Sequence, residues 1–282
     1  MRQLIAFFRR DARHFQIAFL AGFLAYGIAL LQWDAEWSRY ALLIGTCLAA
    51  QALFIRLKRL PWSTMKSALV TGLGMSLLLK AGSPATLAFG AAVAIASKFL
   101  VRIGGRHVFN PGNLGVAAAV LLTGDAWVSP GQWGSGPALV FMVGAAGAMV
   151  ALRVGRIDAS IAFLGAFALL DFAWQSIYLG WEPGVWLHRM SNGSLLLFSF
   201  FMVTDPMTAP KARGARIGWG IAIAALAFAL GWQWWVSASP IWALLIVSPF
   251  TPLLDRRWRA EPFHWAPQPP SRDNLQPSTP VP

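Results

Sequence analysis

The chain has 282 residues, of which 57% are hydrophobic and 12% charged, with 19 Phe and 15 Trp. Soluble domains carry about 25% charged residues, so this composition excludes a soluble globular domain and points to many membrane segments. The net charge of +12 would suit nucleic acid only as a soluble basic patch; here the basic residues sit in short loops between apolar runs, which excludes that partner.

The N-terminal MRQLIAFFRRDARHF has the charge of a signal peptide but no small-residue cleavage site. The first apolar run is therefore expected to be a retained span, with residues 1–15 a basic cytoplasmic segment. Ten apolar runs follow in order: Gln16–Gln32, Tyr40–Ile55, Ser67–Leu79, Pro84–Val101, Gly112–Thr123, Pro137–Leu152, Ala159–Leu179, Gly193–Val203, Ile217–Trp235 and Ile241–Leu254. A full helical crossing needs about 20 residues, which the third, fifth and eighth runs do not reach. These short runs, interrupted by Gly and Pro, read as broken or re-entrant helices. Cys47, alone in its run, supports neither an iron–sulfur cluster nor an internal disulfide and reads as a buried structural residue.

The basic residues orient this count, because cytoplasmic loops collect Lys and Arg. With the N-terminus inside, only Arg39, Lys80 and Arg189 among the 23 Lys and Arg fall outside; Lys98 lies near the inner end of a span, Arg272 in the tail, and the rest are cytoplasmic. Ten spans with both termini inside satisfy this parity. The expected fold is thus an all-α integral membrane domain over residues 16–260, its two five-span halves at about 16–124 and 137–255 inserted upside down relative to each other. A faint echo links them: Ser83-Pro84-Ala85-Thr86 closes the third run and Asp205-Pro206-Met207-Thr208 closes the eighth. Paired, Pro-interrupted short segments of this kind point to a midplane site. Residues 261–282, with seven prolines, read as a disordered tail. Trp127 and Trp133, in the loop after the fifth run, suit a membrane interface.

Two polar turns are the candidate site. In FMVTDPMTAPKARGARIGWG (201–220), Thr204, Asp205 and Thr208 bring a carboxylate and two hydroxyls to the end of an apolar run. Such groups at membrane depth line a cavity or are buried in protein. In FNPGNLG (109–115), Asn110 and Asn113 precede the short fifth run; either they bind an anionic or carbonyl-rich group at a helix start, or Asn110 is an ordinary N-cap with Pro at N1. Asp171, with Gln175 one turn later, has two readings as well: an ion-pathway carboxylate or a paired structural residue. Ser67, Thr71, Ser194 and Ser199 either line a cavity or aid packing. The four histidines lie in loops or at span ends, and no HExxH, CxxC, GxSxG or P-loop pattern occurs. No catalytic residue or metal set is nominated.

The segments HRMSNGSLLLF, FFMVTDPMTAPKARGARIGWG, PLLD ending at Asp255, FNPGNLG and KSALVTGLGMSLLL occur in the order expected of the RnfD/NqrB family, which the chain resembles from Lys66 to Asp255. The resemblance implies ten spans in two inverted repeats, similar to urea transporters, and an electron-transport subunit of the bacterial inner membrane working with other redox or membrane subunits. It also implies flavin. The family's covalent FMN is carried on a Thr of a long insert after the fifth span; the Asp125–Gly136 loop is short and has no Thr, so covalent FMN is not expected. A non-covalent riboflavin or FMN bound by Asn110, Asn113, Ser194, Thr204, Asp205 and Thr208 is, with ion translocation at Asp171. In this trimmed form the chain resembles short UnbU-type relatives. The alternative from the same fold is a small-solute channel or transporter without redox chemistry.

Overall fold

The computed structural model describes residues 11–33, 36–129, 136–261 and 263; the expectations for residues 1–10, Trp133, His264, Arg272 and the Pro-rich tail lie outside them. The described residues are mostly helical: α1 Ala12–Ala29, α2 Trp37–Lys58, α3 Met65–Ser76, α4 Pro84–Leu100, α5 Pro111–Thr123, α6 Pro137–Val154, α7 Ile157–Phe172, α8 Pro183–Met190, α9 Gly193–Leu197, α10 Arg213–Gln233, α11 Ser239–Val247 and α12 Thr251–Arg257. Two of these widen into π-helix, α7 over Ala173–Tyr178 and α9 over Phe198–Met202. Among the described residues, three helices are long and apolar enough to cross a membrane outright: Trp37–Lys58, Ile157–Tyr178 and Arg213–Gln233. The other apolar helices are shorter.

Two departures from a purely helical reading follow from that shortness. The third run stops being helix at Ser76, and Leu79–Ala81 (β1) pairs antiparallel with Ala126–Val128 (β4), Leu79 opposite Val128. The pairing satisfies the backbone groups of Leu79–Ala81, which lie beyond the end of a 12-residue helix about 18 Å long. At the other end of α4, Arg102–Ile103 (β2) pairs with Arg106–His107 (β3) around Gly104 and Gly105, both at positive φ. The eight-residue α8, PGVWLHRM, has no counterpart among the ten apolar runs. It is amphipathic and too short to register as one.

Packing in the first half recurs in the second. In the first, α2 packs on α4, α4 on α5 and α1 on α3; in the second, α7 packs on α10, α10 on α11 and α6 on α9. The halves meet through α1 against α6 and α5 against α11. Small residues allow the close approaches: a Cβ on Gly115 would lie 2.6 Å from the Gly90 carbonyl oxygen, and one on Gly147 would lie 2.7 Å from Phe200. Cys47 is fully buried between α2 and α4, its Sγ 4.0 Å from the Ala91 carbonyl.

Candidate functional site

The turn after α9 is organised by Asp205. Its Oδ1 accepts from the Met207 amide (3.0 Å), and its carbonyl accepts from the amides of Thr208 (3.1 Å) and Ala209 (2.9 Å). Oδ2 reaches across to the first half, where the Asn110 amide nitrogen donates at 3.2 Å and His107 Nε2 lies at 3.4 Å. From the β2–β3 hairpin, Arg106 donates to the carbonyls of Pro206 (2.9 Å) and Ala209 (2.7 Å) and pairs with Asp255. The Lys211 amide donates to the other Asp255 oxygen at 2.8 Å. The turn is thus held by the opposite half of the molecule.

Spacing in the sequence treats the two polar turns as one site; the structure brings the turns together at Asn110 and Asp205 but separates the other predicted residues from them. Asn110 and Asp205 share a chamber of about 90 Å³ with His107, Ser67 and Thr71. Asn110 is also the N-cap of α5, its Oδ1 accepting from the Asn113 amide at 3.0 Å. Asn113 faces away from that chamber and donates to the Ile241 carbonyl at 3.0 Å. Thr204 is buried, its hydroxyl donating to the Phe200 carbonyl as a helix back-bond. Thr208 donates to the Asp205 carbonyl at 3.3 Å and lines a separate cavity on the far side of His107.

Ser194 belongs to a third cavity, of about 320 Å³, lined by Arg189, Asn192, Phe198, Trp235 and Ser239 among others. Its backbone amide is capped by Asn192 (2.8 Å), but its hydroxyl is buried without a protein partner. Asp171 stands behind this cavity. It is fully buried, accepts from Trp232 Nε1 (2.8 Å) and from Gln175, and lies 3.4 Å from Arg189 Nε. Arg189 in turn stacks over Trp232, 4.7 Å from the ring centroid. Ser199 donates to the Leu195 carbonyl at 2.6 Å and is a packing residue.

Four contributors escape sequence reasoning. Arg106 and His107 count there only as loop residues, although they stand just before the Asn110 turn. Arg189 counts only as an exception to the charge rule, which is itself the signal. Lys98 is buried with neutral partners, donating to Gln51 (3.1 Å) and to Ser67 (3.0 Å), which lines the Asp205 chamber.

Apolar crossing helices, broken segments and polar turns buried between two similarly packed halves define a polytopic all-α membrane protein. Residues 117–264, just over half of the chain, match the NQR2, RnfD, RnfE family. The chain belongs to that family. It is also similar to a subunit of the ion-translocating oxidoreductase complex of Stutzerimonas stutzeri, at 31% identity over 77 residues, which is 27% of this chain and 22% of that protein. The family match takes in Asp171, Ser194 and the Asp205 turn and begins after the Asn110 turn.

Proposed function

We propose that the chain is an inner-membrane component of an ion-translocating electron-transport complex, with ten membrane segments in two inverted five-helix repeats. The family match over residues 117–264 carries this reading, and the name of the Stutzerimonas relative supports the assignment to a multi-subunit complex. The repeat is supported by details beyond the shared packing. Ser83 Oγ accepts from the amide two residues on (3.2 Å), as Asp205 Oδ1 does. Asp125, just after α5, accepts from Ser83 N and Thr86 Oγ1 (both 2.8 Å), as Asp255, in α12 after the tenth run, accepts at the corresponding turn of the second half.

The non-covalent flavin of this proposal does not fit beside Asn110 and Asp205. A chamber of about 90 Å³ is well below the roughly 300 Å³ from which ligand sites begin. The cavity at Ser194, about 320 Å³, fits better. Ser194 Oγ, Asn192 and Arg189 would meet the carbonyl and N–H edge of the ring system, while Phe198 and Trp235 would flank its faces. A flavin there supplies electron storage; the chain's own residues bind and orient it and keep water from its faces. Asp171, already bound by three donors, serves in this reading to hold Arg189 at the cavity. Ion passage is assigned to the Asp205 chamber, which has room for about three waters and presents a carboxylate, an amide and the Ser67 and Thr71 hydroxyls.

Gentle detergent extraction followed by absorbance and mass spectrometry tests the proposal. The wild-type protein is expected to carry yellow flavin absorbance that drops severalfold in Arg189→Ala and persists in Asn110→Ala. Colourless protein with no recoverable flavin would sink the redox assignment.

A further inference from the structure

We propose that the cavity between the β2–β3 hairpin and the start of α12 binds a phosphate ester group, independently of any flavin. It has a volume of about 240 Å³ and is lined by Arg106, His107, Thr208, Lys211, Thr251, Asp255 and Arg256, together with apolar neighbours.

Its charge is unbalanced. Asp255 is the acidic residue in the lining, and both its oxygens are taken, one by Arg106 and one by the Lys211 amide. Arg106 is neutralised by that pairing, and its Nη2 donors are taken up by two backbone carbonyls. The Lys211 ammonium and the Arg256 guanidinium make no ion pair among the described residues, so the cavity retains two positive charges. Thr251 is 4% exposed, and its hydroxyl has no hydrogen-bond partner. A buried hydroxyl left unsatisfied is costly, and a ligand oxygen at this position would relieve it.

A phosphate oxyanion, singly charged in a phospholipid diester and close to doubly charged in a monoester, offers several strong acceptors to a guanidinium, an ammonium and a hydroxyl together. The volume is about that of eight waters, room for a phosphate and a small polar remainder. The cavity lies beyond the end of α4, lined by Arg106, Lys211 and Arg256, as basic pockets at the ends of membrane helices do when they take phosphate headgroups. The same chemistry has two sources, the headgroup of an anionic phospholipid or a soluble phosphomonoester.

The full chain, delipidated in detergent, is titrated with phosphatidylglycerol or phosphatidylcholine by native mass spectrometry and with glycerol 3-phosphate by thermal shift. The variants are Lys211→Gln/Arg256→Gln, Thr251→Val, and the control Arg56→Gln/Arg59→Gln, which removes two exposed charges from the end of α2. Phosphatidylglycerol binding that is about thirtyfold weaker in the double variant, reduced in Thr251→Val and unchanged in the control identifies a lipid phosphate. The same pattern with glycerol 3-phosphate identifies a soluble ester. If the double variant binds both as wild type does, or the control loses as much, the proposal is overturned. Neither result depends on whether the preparation is yellow.

Discussion

Asp11 precedes the first turn of α1 and is met by two cations. Its Oδ1 accepts from the Arg13 amide at 3.0 Å, the Arg13 guanidinium forks onto both oxygens, and Lys66 from α3 lies 3.3 Å away. Burial alone would push the carboxyl up, but the Arg13 hydrogen bonds and charge and the Lys66 contact outweigh it and hold it at about 2. Because the folded value is depressed, the stabilisation is complete above the ordinary value of 3.8 and disappears as pH falls through about 2. Asp11→Ala is expected to cost about 1–2 kcal/mol at neutral pH, read as a lower midpoint of thermal unfolding in detergent. Asp11→Asn, which keeps the cap and loses the ion pairs, should fall between. An equal loss in both variants would assign the whole effect to charge. Asp125 follows the same sign: the Thr86 hydroxyl and then the Ser83 amide lower its carboxyl, so its latch onto the turn before α4 loosens in acid.

At the scale of elements, the short helices decide the architecture. The 13-residue α5 is about 20 Å long, well short of a hydrocarbon core of about 30 Å, and it fits because β1 and β4 continue the chain beyond it as a paired ladder. The third, fifth and eighth runs are legible as broken helices because their length alone rules out a crossing. The strand pairing is not legible, because three-residue ladders leave no period in the sequence. Nor are α8 and Arg189, since amphipathic helices of two turns look like loops. The scatter of the predicted site residues over three cavities, with Asn113 and Thr204 in none of them, depends on where each side chain points: Asn113 and Thr204 spend their donors on backbone carbonyls, which spacing does not reveal. Where α4 and α5 touch, Gly115→Ala would place its Cβ 2.6 Å from both the Gly90 oxygen and the Ala94 Cβ. We expect a loss of about 1–3 kcal/mol, against little change for Gly74→Ala, whose Cβ would meet nothing within 4 Å. Equal thermal midpoints for the two variants would contradict so close a contact.

For the whole molecule, the two strand ladders lie at opposite ends of the α4–α5 pair, which makes orientation measurable. Cys47 is fully buried and leaves a silent background. Ile103, 47% exposed, and Trp127, 52% exposed, can each be replaced by Cys and challenged with a membrane-impermeant maleimide in right-side-out and inverted vesicles. The distribution of basic residues predicts labelling at 103 from inside only and at 127 from outside only. The reverse pattern would invert the orientation, and labelling of both from one face would break the ten-segment parity.

The Asn113–Ile241 hydrogen bond ties the first turn of α5 to the first turn of α11, and the Asp205 chamber and the Ser194 cavity, which have no lining residue in common, lie to either side of it. In the proposed function that seam would act as a gasket. A hydrated cation cannot cross it without parting the two helix starts, whereas an electron needs no opening at all. Under the proposed function, the two kinds of charge would be kept apart by a closed wall, and an ion could follow an electron only when the wall itself moves.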